Sequence, residues 1–295
     1  MHIARTRAEL HEAYGALGSS RPVLVPTMGG LHAGHEALIR QGAAEAARRG
    51  TICLATVFVN PTQFDVRTDF ERYPRDLEAD AQVAAAAGAA ILYAPAVEEV
   101  YPGGPPPPPS DLPDQARHKG LEDAFRPGHF VGVVQVLGRL YELIEPSAAI
   151  YGEKDWQQLQ VAWAMARLRR LPIDILAGPT VRGADGLALS SRNRFLSAEG
   201  RRQALAIPEA LRRAGARRTP AEAEQAMAAH LSAAGLAPNY ATVRHAETLL
   251  PLASAADGPG RALIACPVGE GAEAVRLLDN MPWPLPGGAA VSPEA

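Results

Sequence analysis

The sequence is short of the features that mark secreted, membrane-bound or nucleic-acid-binding proteins. It has two cysteines in 295 residues, Cys53 and Cys266, far apart and each within or beside an apolar, strand-like run. A disulfide scaffold needs more cysteines in a shorter chain, so both read as small buried hydrophobes. No block of Lys and Arg is long enough to track a phosphate backbone, and the net charge is −3, which argues against nucleic acid as a partner. The longest uncharged run, Ala81 to Val97, is mostly alanine and is broken by Gly88 and Pro95. A bilayer-spanning helix needs about 20 strongly apolar residues, so no membrane association is expected. The segment Met1-His2-Ile3-Ala4-Arg5-Thr6-Arg7 lacks the apolar stretch of a signal peptide, and a cytoplasmic protein is expected. What remains, 47% hydrophobic and 21% charged residues, is the balance of an ordinary soluble globular chain.

Apolar runs and amphipathic stretches alternate through the first 180 residues. Strands are expected at Val23–Val25, Thr51–Val59, Ala90–Tyr93, Ala148–Tyr151 and Ile173–Leu176, from short apolar or β-branched runs. Helices are expected at Gly34–Arg49, stopped by Gly50, and at Pro74–Ala87, opened by Pro74 and stopped by Gly88. Two more are expected at Val131–Ile144 and Asp155–Leu171. Such alternation implies an α/β fold, a Rossmann-like parallel sheet with helices on both faces. Ligands of these sheets sit at the carboxyl ends of the strands. After Pro179 the rhythm changes to two helices, Ala198–Ala214 and Pro220–Ala234, and three β-like pieces, Tyr240–His245, Ala262–Pro267 and Val275–Leu278. A smaller α+β domain over 181–280 is expected, with a loose tail over 281–295. The unbroken prolines Pro105–Pro109 exclude helix and central strand and read as an exposed polyproline-type loop.

The strongest chemical signal is Pro26-Thr27-Met28-Gly29-Gly30-Leu31-His32-Ala33-Gly34-His35, directly after the first apolar strand. Paired glycines let the backbone turn sharply and approach a ligand. His32 and His35 fall on one face at the start of a helix, where free N–H groups and the helix dipole favour anions. That pattern fits a phosphate cradle whose donors follow charge in a transition state. A metal pair or two surface histidines are the alternative readings, although no third Cys or carboxylate ligand stands at a suggestive spacing.

A His-x-Gly-His element after the first strand is the mark of a superfamily of nucleotidyl-transferring enzymes. Further blocks narrow the choice: Val59-Asn60-Pro61-Thr62-Gln63-Phe64, Tyr151 to Gln158 (YGEKDWQQ), Gly178-Pro179-Thr180-Val181-Arg182, and Asp185 to Asn193 (DGLALSSRN). In this order they resemble the pantothenate synthetase family, and the resemblance runs from about Val23 to Asn280. It implies an ATP-dependent ligase that joins pantoate to β-alanine, with ATP and Mg²⁺ required and a homodimer as the assembly.

The resemblance also implies roles. Met28, Gly29, Gly30, Leu31, His32, Ala33, Gly34 and His35 would hold the ATP phosphates, with His35 donating or accepting a proton. Gly152, Glu153, Lys154 and Asp155 would meet the nucleotide, Lys154 facing charge on the α-phosphate and Asp155 the ribose. Ser190, Ser191 and Arg192 would close over the phosphates, and Val181 and Leu189 would meet adenine. Gln63 and Gln158 would grip pantoate, and Asp80 would hold Mg²⁺. Lys154 with Asp155 also reads as a surface charge pair at a helix start, and Asp185-Gly186 as a tight hairpin turn. Arg126 and His129, in Arg-Pro-Gly-His-Phe, are left out of the catalytic set because a loop-to-helix junction explains them.

Three positions depart from the family pattern. Leu189 replaces a methionine of similar volume, Ala79 stands where an acidic residue often precedes that matched by Asp80, and Gln135 replaces a smaller residue on a helix expected to line the acid pocket. Rival readings are an adenylyltransferase without a ligation step, a nucleotide-binding regulator without turnover, and a structural zinc protein.

Overall fold

The computed structural model describes residues 1–64, 70–71, 73, 75–269, 271 and 274–285. The chain forms two compact units, one of Met1–Glu153 with Gln157–Pro179 and one of Lys154–Trp156 with the chain from Thr180 onward.

The first unit is built on six parallel strands: β1 (His2–Ala4), β2 (Val23–Val25), β3 (Cys53–Thr56), β4 (Ile91–Tyr93), β5 (Ala148–Gly152) and β6 (Asp174–Gly178). Their order across the sheet is β1-β4-β3-β2-β5-β6. The central strands are buried on both faces, which is why they read as unbroken apolar runs and not as alternating ones. Helix α2 (Ala33–Arg49) lays Ile39 and Ala46 over Val23, Val25, Cys53, Ala55 and Ile150, and ends at Gly50 in the left-handed conformation. Gly178, at the end of β6, makes room for that helix: a Cβ there would lie 2.2 Å from a Leu38 methyl.

The sequence reading placed nothing before Val23, yet β1 and helix α1 (Arg7–Leu17) precede it. A three-residue edge strand with two exposed positions carries no periodicity to detect. The helix does carry its punctuation, a Thr6 hydroxyl accepting from the Glu9 N–H and a left-handed Gly18. Helix α3 spans Leu77–Ala86 with Asp76 as its cap, and Pro74, expected to open it, lies outside the described residues. Helices α4 (His129–Ile144) and α5 (Trp156–Leu168) follow.

The second unit packs helices α6 (Ala198–Ala204), α7 (Ala206–Gly215) and α8 (Pro220–Ala233) on an antiparallel sheet β7-β8-β9. Its strands are Tyr240–His245, Gly260–Val268 and Val275–Trp283. Ile207, Leu211, Met227, Leu231, Ile264 and Trp283 lie in its core. Two expectations change here. The single helix expected over Ala198–Ala214 is broken at Leu205, because Pro208 has no N–H for the Ala204 carbonyl and its ring crowds that group. The strand expected to stop at Leu278 continues through Trp283, whose buried indole donates to the Ala214 carbonyl at 3.1 Å. Pro282 is tolerated because β9 is an edge strand. Residues 286–295 of the expected loose tail lie outside the described set.

Candidate active site

The parallel sheet winds from β2 outward through β3 to β4 on one side and resumes with β5 on the other. The carboxyl ends of β2 and β5 therefore flank the switch in strand order, the place where open α/β sheets bind ligands. The glycine–histidine loop leaves β2 there, and Gly152 and Glu153 leave β5.

That loop is fixed by its own side chains. The Thr27 N–H donates to the Thr56 hydroxyl at 3.0 Å, and the Gly29 N–H donates to the Thr27 hydroxyl at 3.2 Å. Gly29 and Gly30 have φ of +87° and +63°, a region that costs other residues strain. Substitution at Gly29 is blocked twice over, since a Cβ would lie 2.7 Å from Asp80 Oδ2 and 2.8 Å from a Val57 methyl. The buried Asp80, from the first turn of α3, accepts the Gly30 N–H on Oδ2 at 3.0 Å and the Leu31 N–H on Oδ1 at 2.7 Å. The Tyr73 hydroxyl donates to the Gly29 carbonyl at 3.2 Å.

His32 caps α2. Its Nδ1 accepts the Gly34 N–H at 3.0 Å, while His35 Nδ1 accepts the His32 N–H at 3.3 Å. Each Nδ1 is thus an acceptor, so each neutral imidazole carries its proton on Nε2 and serves as a donor there. The rings lie with centroids 4.1 Å apart at the N-terminus of a 17-residue helix. Two imidazole donors join the positive end of the helix dipole, an arrangement suited to phosphate oxygens.

Gln63 follows β3 in a short 3-10 turn, Pro61–Gln63, and is buried. Its side-chain amide donates to Met28 Sδ at 2.9 Å and accepts from Asn60 Nδ2 at 3.1 Å, bringing the predicted acid-binding glutamine against the predicted phosphate loop. Its main chain is held by the two residues the sequence reading left aside. His129 Nδ1 donates to the Gln63 carbonyl at 2.8 Å, and Arg126 reaches the same oxygen at 3.3 Å. Arg126 also lies 3.3 Å from His129 Nε2, consistent with that ring carrying its proton on Nδ1. Gly132 on α4 lets the turn approach, since a Cβ would fall 2.3 Å from the Thr62 carbonyl oxygen. Asn60, buried, donates to the Gly132 carbonyl at 3.1 Å and accepts from the Tyr101 hydroxyl at 2.9 Å.

Gln158 lies half-buried on the first turn of α5. Its neighbour Gln157 is committed to structure, accepting from the Glu122 N–H at 2.9 Å and donating to the Gln115 carbonyl and to Asp123. Gln135 meets the proline run. It donates to the Pro106 and Pro107 carbonyls, so it anchors the proline run to α4.

The remaining predicted residues belong to the second unit. The Lys154 carbonyl accepts from Asn280 Nδ2 at 2.9 Å, and Asn280 in turn accepts from Arg261 Nε at 2.6 Å. Arg261 lies 3.7 Å over the Trp156 ring, whose indole donates to the Ala246 carbonyl. Asp155 is exposed. Val181 and Leu189 face each other across a small hairpin, the Leu189 N–H donating to the Val181 carbonyl at 2.9 Å, with Gly186 at φ +83° in its turn. The Leu187 N–H, 3.2 Å from Asp185, holds that carboxyl below its ordinary range, and Arg201 adds to the effect. The hairpin is pinned where Arg182 meets the buried Asp279 with two bonds of 2.7 and 2.9 Å. It delivers Ser190, Ser191 and Arg192 at the start of a 3-10 turn. Ser190 Oγ accepts the Arg192 N–H at 3.2 Å, which leaves its hydroxyl proton available to donate.

Among the described residues, no group of three His, Cys, Asp or Glu side chains could hold a metal ion. No described helix is long and apolar enough to cross a membrane. Relatives carry the same architecture. The pantothenate synthetase of Thioalkalivibrio sulfidiphilus is 43% identical over 97% of this chain and 99% of its own length. That of Myxococcus xanthus is 46% identical over 88% of each. The crystal structure of the Thermus thermophilus pantothenate synthetase superposes with a TM-score of 0.83 at 41% identity, over 95% of this chain and 99% of that one. A Francisella tularensis pantoate-beta-alanine ligase, solved in complex with beta-gamma ATP and beta-alanine, gives 0.77 at 29% identity over 96% and 97%. A sequence-family model described as Pantoate-beta-alanine ligase matches residues 2–282. The chain is therefore a member of the pantoate–β-alanine ligase family.

Proposed function

We propose that this enzyme condenses pantoate with β-alanine in two steps. A pantoate carboxylate oxygen attacks the α-phosphorus of ATP, forming a P–O bond as the bond to the leaving pyrophosphate breaks. The amine of β-alanine then attacks the acyl carbon of the pantoyl adenylate. The C–O bond to AMP breaks, the amine gives up a proton, and pantothenate and AMP leave.

The observation that carries this reading is the tautomeric setting of His32 and His35 at the N-terminus of α2. Both Nε2–H groups are fixed before substrate arrives and need no reorganisation as charge shifts to the phosphates. Gln63, an uncharged amide locked against Met28, suits an acid that also bears hydroxyls better than a phosphorylated substrate would. The ATP and β-alanine named for the Francisella tularensis complex support both nucleotide and amine. Lys154, with Ser190, Ser191 and Arg192, supplies further cationic and hydroxyl donors for the phosphates in this reading, and Gln158 the second amide for pantoate. Closure of the 181–280 domain over the adenylate would keep it from water. The assembly is proposed to be a homodimer.

Among the described residues, no group of side chains builds a protein-held Mg²⁺ site. Both Asp80 oxygens already accept backbone N–H groups, and position 79 is alanine.

The test is pyrophosphate release from ATP and pantoate, first without and then with β-alanine. An enzyme-limited burst alone, followed by steady AMP formation only after β-alanine is added, supports two-step ligation. ATP binding with no pyrophosphate from pantoate would mean a different acid and remove the roles given to Gln63 and Gln158.

A further inference from the structure

We infer that Asp80 is a positioning residue that shapes the phosphate loop, and that magnesium is not its ligand. This rests on the reading of Met28–His35 as the phosphate-holding segment. The backbone turns through Gly29 and Gly30, both of positive φ, and the Gly30 and Leu31 N–H groups converge on one carboxylate. Such a nest of converging amides is an anion-binding concavity. Here the anion is internal. Asp80 sends one oxygen to the Gly30 N–H and the other to the Leu31 N–H, at 3.0 and 2.7 Å. It is 3% exposed, and these two amides compensate its burial.

Three consequences follow from the geometry. The Gly30 and Leu31 amides are committed to Asp80, the Gly29 amide to Thr27 and the Gly34 amide to His32, so contact with phosphate falls to the imidazoles. The carboxylate fixes the segment immediately before His32, whose own N–H sets the His35 tautomer. Asp80 thereby acts on the histidines through the backbone and touches neither. Its proximity also limits position 29 to glycine, because a Cβ would meet Oδ2 at 2.7 Å.

The test compares the native protein with D80N, which keeps the volume but turns an amide NH₂ toward one of the two N–H groups. Amide hydrogen exchange at Gly30 and Leu31 is read in protein free of nucleotide and metal. In the native protein both amides are protected, and magnesium chloride does not change that protection. In D80N their exchange rises by about ten- to hundredfold. At saturating ATP and pantoate, the rate constant of the pyrophosphate burst falls by a similar factor, while the magnesium concentration giving half-maximal rate is unchanged. The inference is overturned if the native amides exchange freely until magnesium is added. It is equally overturned if D80N shifts the magnesium dependence tenfold or more with Gly30 and Leu31 still protected. The native measurement decides the matter even if D80N does not fold. Because the exchange readout needs no substrate, it is independent of whether pantoate is the acid, which native pyrophosphate release tests separately.

Discussion

The side-chain amide of Asn280 donates to the main-chain carbonyl of Lys154, across 126 positions of sequence, while its oxygen accepts from Arg261. The next residue back on β9, Asp279, holds Arg182 at the root of the hairpin that leads to Ser190. One buried dipeptide thus anchors both segments that the second unit contributes to the proposed chemistry. Asn280→Ala removes both bonds, and such losses at buried sites cost about 1–3 kcal/mol. Its unfolding midpoint in denaturant should fall accordingly, and pyrophosphate release should slow while the KM for β-alanine holds. Unaltered pyrophosphate release in a folded variant would show that Lys154 needs no such anchor.

Arg182→Ala should be more damaging to the fold than Asn280→Ala. It strips the bidentate partner from Asp279, whose side chain is 2% exposed, and leaving one half of a buried pair typically costs about 3–5 kcal/mol. Equilibrium unfolding of the two variants side by side gives the ranking.

His35 combines two jobs that substitution can separate. Asparagine at this position keeps an acceptor for the His32 N–H but has no group in the place of Nε2. His35→Asn should therefore retain most of the native stability, whereas His35→Ala should lose about 1 kcal/mol, the usual worth of a cap bond. Both should lose about 10²–10³-fold in pyrophosphate release. A His35→Asn enzyme with near-native turnover would remove His35 from the chemistry.

Gly132→Ala addresses the support under Gln63. The added methyl would press on the Thr62 carbonyl oxygen and, at 2.6 Å, on the Gln63 amide nitrogen. Overpacking against backbone costs about 1–3 kcal/mol. The KM for pantoate should rise more than that for ATP, since the displaced turn carries Gln63, the glutamine proposed to hold the acid. Equal rises in both would point to general damage.

Burial pushes the Cys53 thiol up to about 12 and the Cys266 thiol up to about 11. At pH 8 almost none of either is thiolate, the reactive form. A colorimetric disulfide reagent should detect no thiol in the native enzyme and both cysteines after unfolding. Rapid labelling of either in the native state would contradict its burial.

The parallel sheet was legible because its central strands are continuous apolar runs, and the glycine–histidine turn at the start of α2 because paired glycines and a helix-start histidine pair mark it in the sequence. What stayed hidden was hidden for physical reasons. The edge strand His2–Ala4 is too short to show a period, and Asp279, Asn280 and Pro282 interrupt the apolar run of β9, which continues through them as an edge strand. Arg126, His129, Asn60 and Asp279 act on Gln63 and Arg182 from 63, 66, 3 and 97 positions away. Only the nearest of these, Asn60, stands in the same sequence block as its partner. The bonds from Gln135 to the proline run were not legible, because nothing in the spacing brings residues 106 and 135 together.

A nest already closed by the protein's own carboxylate is ordered once, when the chain folds. In the proposed reaction the nucleotide meets a segment whose rotational freedom has gone, so the entropy lost on binding would belong to the nucleotide and not to residues 28–32. Selection for tighter nucleotide binding would have little to gain by stiffening this loop further, and random substitution in it would weaken binding chiefly by restoring disorder to the free enzyme.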